Sequence, residues 1–218
     1  MKKSNTLTLA QLGVFSAIII VLTFTPLGMI PLGPVSAIRS VVEAVHIPVI
    51  IGAIVLGLKS GAILGGVLGV SSLLRALAMP ASPLDPLFVN PVISVLPRIC
   101  IGIVAALVFS ALHRWIKGKA SVPVSAGVAA VAGTLTNTIL VLGLLVLIYP
   151  DSMGTDASRV FSVILTSIVA VNGIVEILSA VVLAIPVSAA LFKLQQRLAL
   201  PQAPTKRVKT AQKEPWEK

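Results

Sequence analysis

The feature that most constrains this chain is a succession of apolar segments that are long enough, or nearly long enough, to cross a lipid bilayer. We predict helices at roughly residues 7–27, 47–58, 60–79, 90–115, 122–149 and 160–194. A membrane-spanning helix needs about 20 predominantly apolar residues. The segment 47–58 is shorter and is predicted to be a short span. The sequence therefore predicts an all-α membrane protein with six transmembrane helices.

The composition argues against a soluble domain and against a nucleic-acid-binding protein. Hydrophobic residues make up 56% of the chain and charged residues only 11%, whereas soluble domains carry about 25% charged residues. The net charge of +10 lies in the termini and short connections, without the interleaved aromatic residues of a nucleic-acid surface. Membrane lipid is thus an expected partner, and nucleic acid is not.

The distribution of basic residues predicts the topology. Lysines and arginines at the N-terminus, near Lys59, in the segment 114–119 and from Lys193 onward would all fall on one side of a six-span bundle. Cytoplasmic segments carry an excess of Lys and Arg. We therefore predict that both termini are cytoplasmic, and that the irregular segments 26–34, 80–86 and 150–159 are external loops capping a pocket.

The two ends of the chain are interpreted differently. Lys2 and Lys3 precede an apolar run, as in a secretory signal, but the run is long enough to span and further spans follow. We interpret it as the first retained helix. Residues 1–197 then form one membrane domain, and the Pro- and Lys-rich segment 198–218 is expected to be a disordered, basic cytoplasmic tail.

A charged residue, Arg98, lies inside an apolar run that continues to Leu112. By helix rise it is about 10 Å along the helix from Pro91, below the headgroup level. An ionised residue there must face a protein interior, a partner or a polar cavity. Asn90 and Ser94 share its helical face. We predict that these three residues line a polar wall for a solute; a buried ion pair that only joins helices is the structural alternative.

Further polar residues lie near mid-membrane on the last two helices. Asn137 and Asn172 are at similar depth by helix rise, and Glu176 follows Asn172 on the same face. Arg39 and His46 belong to a polar insertion before the short span. We predict that all five contact a solute. Alternatively, Glu176 pairs with Arg98, and the asparagines hydrogen-bond between helices.

The motifs expected of enzymes and metal proteins are missing or incomplete. Glu43 and His46 form a single E-x-x-H, half of a di-iron helix pair, and no second copy exists. The segment 52–60 lacks the lysine directly after a second glycine that a phosphate loop requires. We therefore predict no enzymatic activity, no cofactor and no metal.

Glycines recur at every fourth position from Gly57 through Gly61 and Gly65 to Gly69. Small residues at this spacing allow helix backbones to approach closely. We predict that this ridge packs against another helix of the same chain.

Four phrases in order resemble the substrate-binding (S) components of energy-coupling factor (ECF) transporters, which are bacterial vitamin importers. They are TFTPLGMIPLGP at 23–34, HIPVIIGAI at 46–54, GAILGGVLGVSSL at 61–73 and FVNPVISVLPR at 88–98. The resemblance covers about residues 7–195. It implies a multi-pass protein of the bacterial cell membrane with six helices, cytoplasmic termini and an external pocket.

The resemblance also implies protein partners. In that family, a small-xxx-small motif on the first helix contacts the transmembrane coupling subunit, and Gly13 and Ala17 match this motif with glycine in place of the usual first alanine. Two cytoplasmic ATPase subunits complete the importer and would supply the nucleotide chemistry.

Within the family, the phrases at 46–52 and 90–98 look most like pantothenate-type members. A pantothenate ligand offers a carboxylate for Arg98 and polar groups for Asn137 and Asn172. Riboflavin, folate or another small vitamin remains an alternative, although aromatic residues make up only 4% of the chain. A different class of transporter is also an alternative. It is an ion-coupled secondary transporter, in which Glu176 carries the proton and no ATPase takes part.

Overall fold

The computed structural model describes residues 2–31, 41–80, 85–118, 120–150 and 171–199. The helices in this part of the chain are α1 (Lys2–Phe24), α2 (Ile47–Leu56), α3 (Leu58–Ala78), α4 (Pro91–Ser94), α5 (Leu96–Trp115), α6 (Ser121–Ile148) and α7 (Val171–Ala199). Short 3-10 turns occupy Pro26–Gly28, Ala44–His46 and Asp85–Val89. The predicted start of the last helix near residue 160 and the tail from residue 200 lie outside the described residues.

The described residues include five helical segments that are long and apolar enough to cross a membrane: Thr6–Phe24, Leu58–Ala78, Pro91–Trp115, Ser121–Ile148 and Gly173–Arg197. The sixth predicted span, α2, has 10 residues. A helix of that length rises about 15 Å, half the thickness of the hydrocarbon core. The described part of the chain thus contains five helices of spanning length and one short apolar helix, where the sequence predicted five longer spans and one short span.

The short helix α2 forms the centre of the bundle. Nine of its ten residues, Ile47 to Val55, are buried. The helix contacts α1, α3, α5, α6 and α7. A helix that is apolar on every side is stable only when it is surrounded by other elements. Its length and composition thus have one explanation: α2 fills the space between the longer helices and need not reach both membrane surfaces.

A short antiparallel hairpin precedes α2. The strands β1 (Met29–Pro31) and β2 (Val41–Glu43) pair with Met29 opposite Glu43. The sequence predicted only irregular structure here, because prolines and glycines punctuate the segment. The hairpin leads directly into the Ala44–His46 turn and so places His46 at the start of α2.

The glycine seam, which we define as Gly61, Gly65 and Gly69 of α3 with Gly102 of α5, joins these two helices backbone to backbone. A Cβ atom at Gly61 would lie 2.7 Å from the Gly102 carbonyl oxygen, and one at Gly69 would lie 2.7 Å from Val95 Cα. Real Cβ atoms do not approach other atoms this closely, so these positions require glycine. The prediction of internal helix packing is confirmed for the three α3 glycines.

Gly57 does not belong to the seam. It links α2 to α3 with a φ of +86°, and a Cβ atom there would meet nothing within 4 Å. Side chains other than glycine rarely adopt this backbone conformation. The fourth glycine of the predicted ridge therefore makes the reversal between α2 and α3 instead of a helix contact.

Candidate functional site

His46 joins three helices at the start of α2. Its side chain is almost completely buried. Nε2 lies 3.2 Å from Thr134 Oγ1 on α6, and Nδ1 lies 3.4 Å from Glu176 Oε1 on α7. The buried apolar residues of α2 begin directly after it. His46, Thr134 and Glu176 thus form a polar floor above a closed apolar core.

Asn137 lies one helical turn from Thr134 along α6, towards α4. The residue is 9% exposed, and its Oδ1 has no hydrogen-bond partner among the described residues. The neighbouring hydroxyls of Thr136 and Thr138 donate to the backbone carbonyls of Ala132 and Thr134. Most buried polar atoms in proteins are paired, so an orphaned acceptor needs an explanation. A ligand that donates a hydrogen bond would supply one.

Arg98 is buried at the start of α5, where the chain departs from the predicted continuous helix. The helix breaks between α4 and α5 at Val95. Pro97 has no N–H and cannot donate to the carbonyl of Ile93, four residues earlier. Arg98 Nη1 donates to that carbonyl oxygen at 2.9 Å. The arginine therefore replaces the missing backbone donor, while a guanidinium has five N–H donors in all.

The rest of the Arg98 environment is built from the turn before α4. The guanidinium carbon of Arg98 lies 5.4 Å from the centre of the Phe88 ring, a cation–π contact. Ser94 Oγ donates to the carbonyl of Phe88. Asn90 Oδ1 accepts from the backbone N–H of Val92 at 3.0 Å and so caps α4. Asn90 and Ser94 both support the backbone around the arginine.

Thr134, Asn137 and the contact of Arg98 with Ile93 lie at successive levels along α6. Ile93, whose carbonyl binds Arg98, packs against Val141 and Leu145. By helix rise Asn137 lies about 4.5 Å from Thr134, and Val141 lies about 6 Å further on. We call His46, Thr134, Glu176, Asn137 and Arg98 the polar column. The floor of the column carries the Glu176 carboxylate. Asn137 provides an orphaned acceptor in the middle, and the Arg98 guanidinium lies at the opposite end.

Two predicted site residues are not placed by the structure. Arg39 lies outside the described residues. Asn172 belongs to the first turn of α7, one turn before Glu176, but its side chain is not described. Thr134 is a site residue that the sequence did not predict. Its contact with His46, 88 positions apart in sequence, depends on how α2 packs against α6, and no local pattern reveals this.

A ridge on α1 faces away from the other helices. Gly13 and Ala17 are both exposed, and a Cβ atom at Gly13 would meet nothing within 4 Å. Leu9 and Val21, four residues to either side, are 69% and 52% exposed. We call these four residues the α1 ridge. It presents small residues between two larger apolar ones, a shape that admits a closely packed helix.

Comparison with known proteins identifies the family. Residues 7–188 match the family described as ECF transporter, substrate-specific component. The pantothenic acid transporter PanT of Lactococcus lactis subsp. cremoris is 33% identical over 206 residues, covering 88% of this chain and 97% of that protein. The pantothenate transporter PanT of Leuconostoc mesenteroides is 30% identical over 193 residues, covering 85% and 92%.

These matches confirm the resemblance found in the sequence, including its similarity to pantothenate-type members. Together with the apolar helices, they identify a multi-pass integral protein of the bacterial cell membrane. The chain belongs to the family of substrate-specific components of ECF transporters.

Proposed function

We propose that this chain is the high-affinity pantothenate-capture subunit of an ATP-driven ECF importer. The carrying observation is a pair of buried polar groups beside α6. They are the Arg98 guanidinium, which donates to Ile93 next to Val141, and the orphaned Asn137 Oδ1. The two similar proteins that are named as pantothenate transporters support the same ligand.

The chemistry of pantothenate suits these groups. Its single carboxylate can accept hydrogen bonds from the guanidinium donors of Arg98, and such charge-assisted bonds are stronger than neutral ones. Its amide N–H can donate to Asn137 Oδ1. Its hydroxyls can exchange hydrogen bonds with Thr134 and Glu176. A small, flexible, polar ligand also needs no aromatic stacking surface. We propose that Asn172 and Arg39 contact the same ligand.

Binding a solute does not by itself move it across a membrane, so the subunit needs protein partners that drive transport. We propose that the α1 ridge, through Gly13 and Ala17, packs against the transmembrane coupling subunit, and that two cytoplasmic ATPases drive the cycle. Both termini are then cytoplasmic, and the segments beside α4 face outside. The exposed, unobstructed surface at Gly13 supports this contact.

Mass spectrometry of small molecules released from the purified, denatured protein tests the ligand. We expect pantothenate in a stoichiometric amount. A different vitamin would keep the protein in its transporter class but would show that the ligand proposal is wrong. An empty protein after repeated preparations from rich medium would argue against high-affinity capture.

Co-purification tests the partner surface. Gly13→Leu should retain pantothenate binding and lose the coupling subunit, because the added side chain fills the close-approach surface. Gly66→Leu on α3 is a matched control, since a Cβ atom there also meets nothing within 4 Å. Loss of the complex in both variants would place the contact elsewhere or spread it over both helices.

The contact between His46 and Glu176 favours a second candidate, an ion-coupled transporter in which Glu176 carries a proton. Uptake measured in cells without the cytoplasmic ATPases separates the two. The ATP-driven proposal expects no uptake there. Uptake that persists in those cells and disappears in Glu176→Gln would support the ion-coupled candidate instead.

A further inference from the structure

An apolar groove lies between α6 and α7, apart from the residues of the polar column. The groove has a volume of about 330 Å³, which falls within the range of about 300–1,000 Å³ that is typical of ligand pockets. Its lining includes Pro123 and Gly127 of α6 and Val181 and Ile185 of α7, and no lining side chain is polar. We call it the α6–α7 groove. Its composition suits a hydrocarbon chain and not a polar solute.

The α6–α7 groove opens towards the outside of the bundle. Val124 and Val128 also line it, and they are 45% and 44% exposed. Both belong to a helix that is long and apolar enough to cross a membrane, so the surface that they expose faces lipid hydrocarbon. Gly127 lies between them and contributes no side chain. A lipid can therefore enter the groove directly from the bilayer.

The groove is confined to one half of the bilayer. On α6 it extends from Pro123 to Val131, a rise of about 12 Å along the helix axis. The hydrocarbon core is about 30 Å thick, so one leaflet accounts for about 15 Å. Because α6 begins at Ser121, the groove starts within the first helical turn. A lipid chain in the groove would thus belong to the leaflet at this end of α6.

The end of α5, the start of α6 and the end of α7 lie at the same level. Ser121 Oγ lies 2.8 Å from Nδ1 of His113 in the last turn of α5. The His113 ring stacks on Phe109, and Phe109 stacks on Phe192 of α7, with ring centroids 5.3 Å and 5.7 Å apart. Trp115, the last residue of α5, is 87% exposed, and tryptophan is enriched at the membrane–water interface. These helix ends therefore mark one membrane surface.

Basic side chains lie at this same end of the groove. Arg114 and Lys117 lie at and just beyond the end of α5, Lys193 and Arg197 lie near the end of α7, and all four are exposed. We call these four residues the basic rim. The sequence has no aspartate or glutamate between residues 86 and 150 or between residues 177 and 213. No acidic side chain of these helix ends thus offsets the charge of the rim.

We propose that the α6–α7 groove and the basic rim together form a binding site for one anionic phospholipid. One acyl chain lies in the groove, and the headgroup phosphate contacts the rim. Basic residues between helices at a membrane surface attract anionic headgroups, and long basic side chains reach the headgroup level from within a span. The depth of the groove and the position of the rim agree, because a chain that fills the groove brings its phosphate to the end where the rim lies.

This site is separate from the polar column, so the inference does not depend on which solute the protein carries. Native mass spectrometry of the full-length protein, titrated with lipids in detergent, tests it. The probes are dioleoyl phosphatidylglycerol and dioleoyl phosphatidylcholine, which have the same acyl chains and differ in headgroup charge. For wild type we expect the first phosphatidylglycerol to bind at least about tenfold more tightly than the first phosphatidylcholine. Equal affinities would overturn the proposal.

Two variants of the basic rim test the headgroup contact. They are Lys117→Gln and Lys193→Gln, and the control is Lys59→Gln, at an exposed position near the start of α3. Each rim variant should lower the preference for phosphatidylglycerol about fivefold, which is the effect of one basic residue near an anionic surface. The control should leave the preference unchanged. An equal loss in the control would mean that the preference reflects net charge alone, and the rim would not be a binding site.

A substitution that fills the groove tests the position of the acyl chain. Gly127→Leu should weaken the binding of both lipids about tenfold and preserve the ratio between them, because it removes space for the chain and no charge. Gly66→Leu is the control, since a Cβ atom there meets nothing within 4 Å. Val128→Gln, which places a polar group in the lining, should likewise weaken both lipids and serves if Gly127→Leu does not fold. Affinities equal to those of the control would show that no chain occupies the groove.

Discussion

The glycine seam and the polar column share α5 but are built on opposite principles. In the seam, α3 and α5 approach so closely that no side-chain atom fits at Gly61, Gly65 or Gly102. In the column, His46 contacts Thr134 of α6 and Glu176 of α7, and the buried Asn137 Oδ1 has no partner among the described residues. The seam is complete without a ligand. Under the proposed function, a ligand that donates a hydrogen bond to Asn137 Oδ1 would complete the column.

The two regions meet at Arg98. Its backbone carbonyl lies against Gly65 in the seam, while its side chain lies in the column and donates to Ile93. The seam therefore positions the backbone from which the guanidinium extends. Substitutions in the seam should change stability without changing ligand preference, whereas substitutions in the column should change ligand binding.

The largest expected effect is on ligand binding at Arg98. Arg98→Ala should weaken pantothenate binding more than 100-fold, equivalent to about 3 kcal/mol, because a buried charge partner of the carboxylate is lost. Calorimetry gives the dissociation constant and thermal unfolding of the ligand-free protein gives the stability. An equal loss of free energy in both measurements would mean that Arg98 acts through the Ile93 carbonyl alone.

Arg98→Lys is the matched control for this variant. Lysine can still donate to the Ile93 carbonyl, but it cannot form two parallel bonds to a carboxylate. We expect it to retain most of the stability and to bind pantothenate with an intermediate affinity.

Adding a single methyl group to the glycine seam should lower the stability of the protein. Gly65→Ala should destabilise the protein by about 2 kcal/mol, since the new Cβ would overlap the Arg98 carbonyl and force α3 away from α5. The neighbouring Gly66→Ala is the control, because that Cβ would meet nothing within 4 Å. Thermal unfolding in detergent measures the stability of both variants. Equal melting temperatures for the two variants would contradict the backbone contact described here.

Substitution of Asn137 should weaken ligand binding but raise the stability of the ligand-free protein. Asn137→Leu should weaken pantothenate binding about tenfold and stabilise the ligand-free protein by about 1 kcal/mol, because it removes an unpaired buried acceptor. Binding and unfolding measurements on the same preparation check both signs. A loss of stability would indicate that Asn137 is satisfied within the protein and is a structural residue.

The smallest expected effect belongs to Asn90. Asn90→Ala should lower stability by about 1 kcal/mol, since its Oδ1 caps α4 through the Val92 N–H. Asn90→Asp should retain the cap. Pantothenate binding should change less than twofold in the aspartate variant. A large loss of binding in Asn90→Asp would show that the side-chain amide contacts the ligand.

Much of this architecture could be predicted from local sequence. The long apolar runs indicated the spans, because burial in lipid requires length and continuity. The four-residue spacing of glycines indicated a close helix contact. The burial of Arg98 followed from the high free energy of a charge in an apolar run. Each of these inferences depends on neighbours along the chain.

The remaining features depend on distant residues or on competition between local signals. The contact of His46 with Thr134 requires α2 to enter the bundle at a particular depth. Asn90, Ser94 and Arg98 have continuous helical spacing, yet Pro97 interrupts the helix at Val95. A proline lacks the N–H that would donate to the carbonyl four residues earlier, and this local effect overrides the helical spacing of the polar residues. Gly57 shared the period of the seam glycines, although its positive φ makes it a turn residue.

The hydrogen bond from Arg98 to Ile93 has a consequence for the thermodynamics of recognition. A flexible arginine loses rotational freedom when it binds an anion, and ordering such a side chain costs about 0.5–1.5 kcal/mol. Here the backbone break at Pro97 creates the acceptor that orders the guanidinium during folding. If Arg98 binds the ligand as proposed, the entropy loss belongs to the folding of the subunit and not to the capture of each vitamin molecule. The helix break at Pro97 would then make Arg98 a preorganised receptor for an anion.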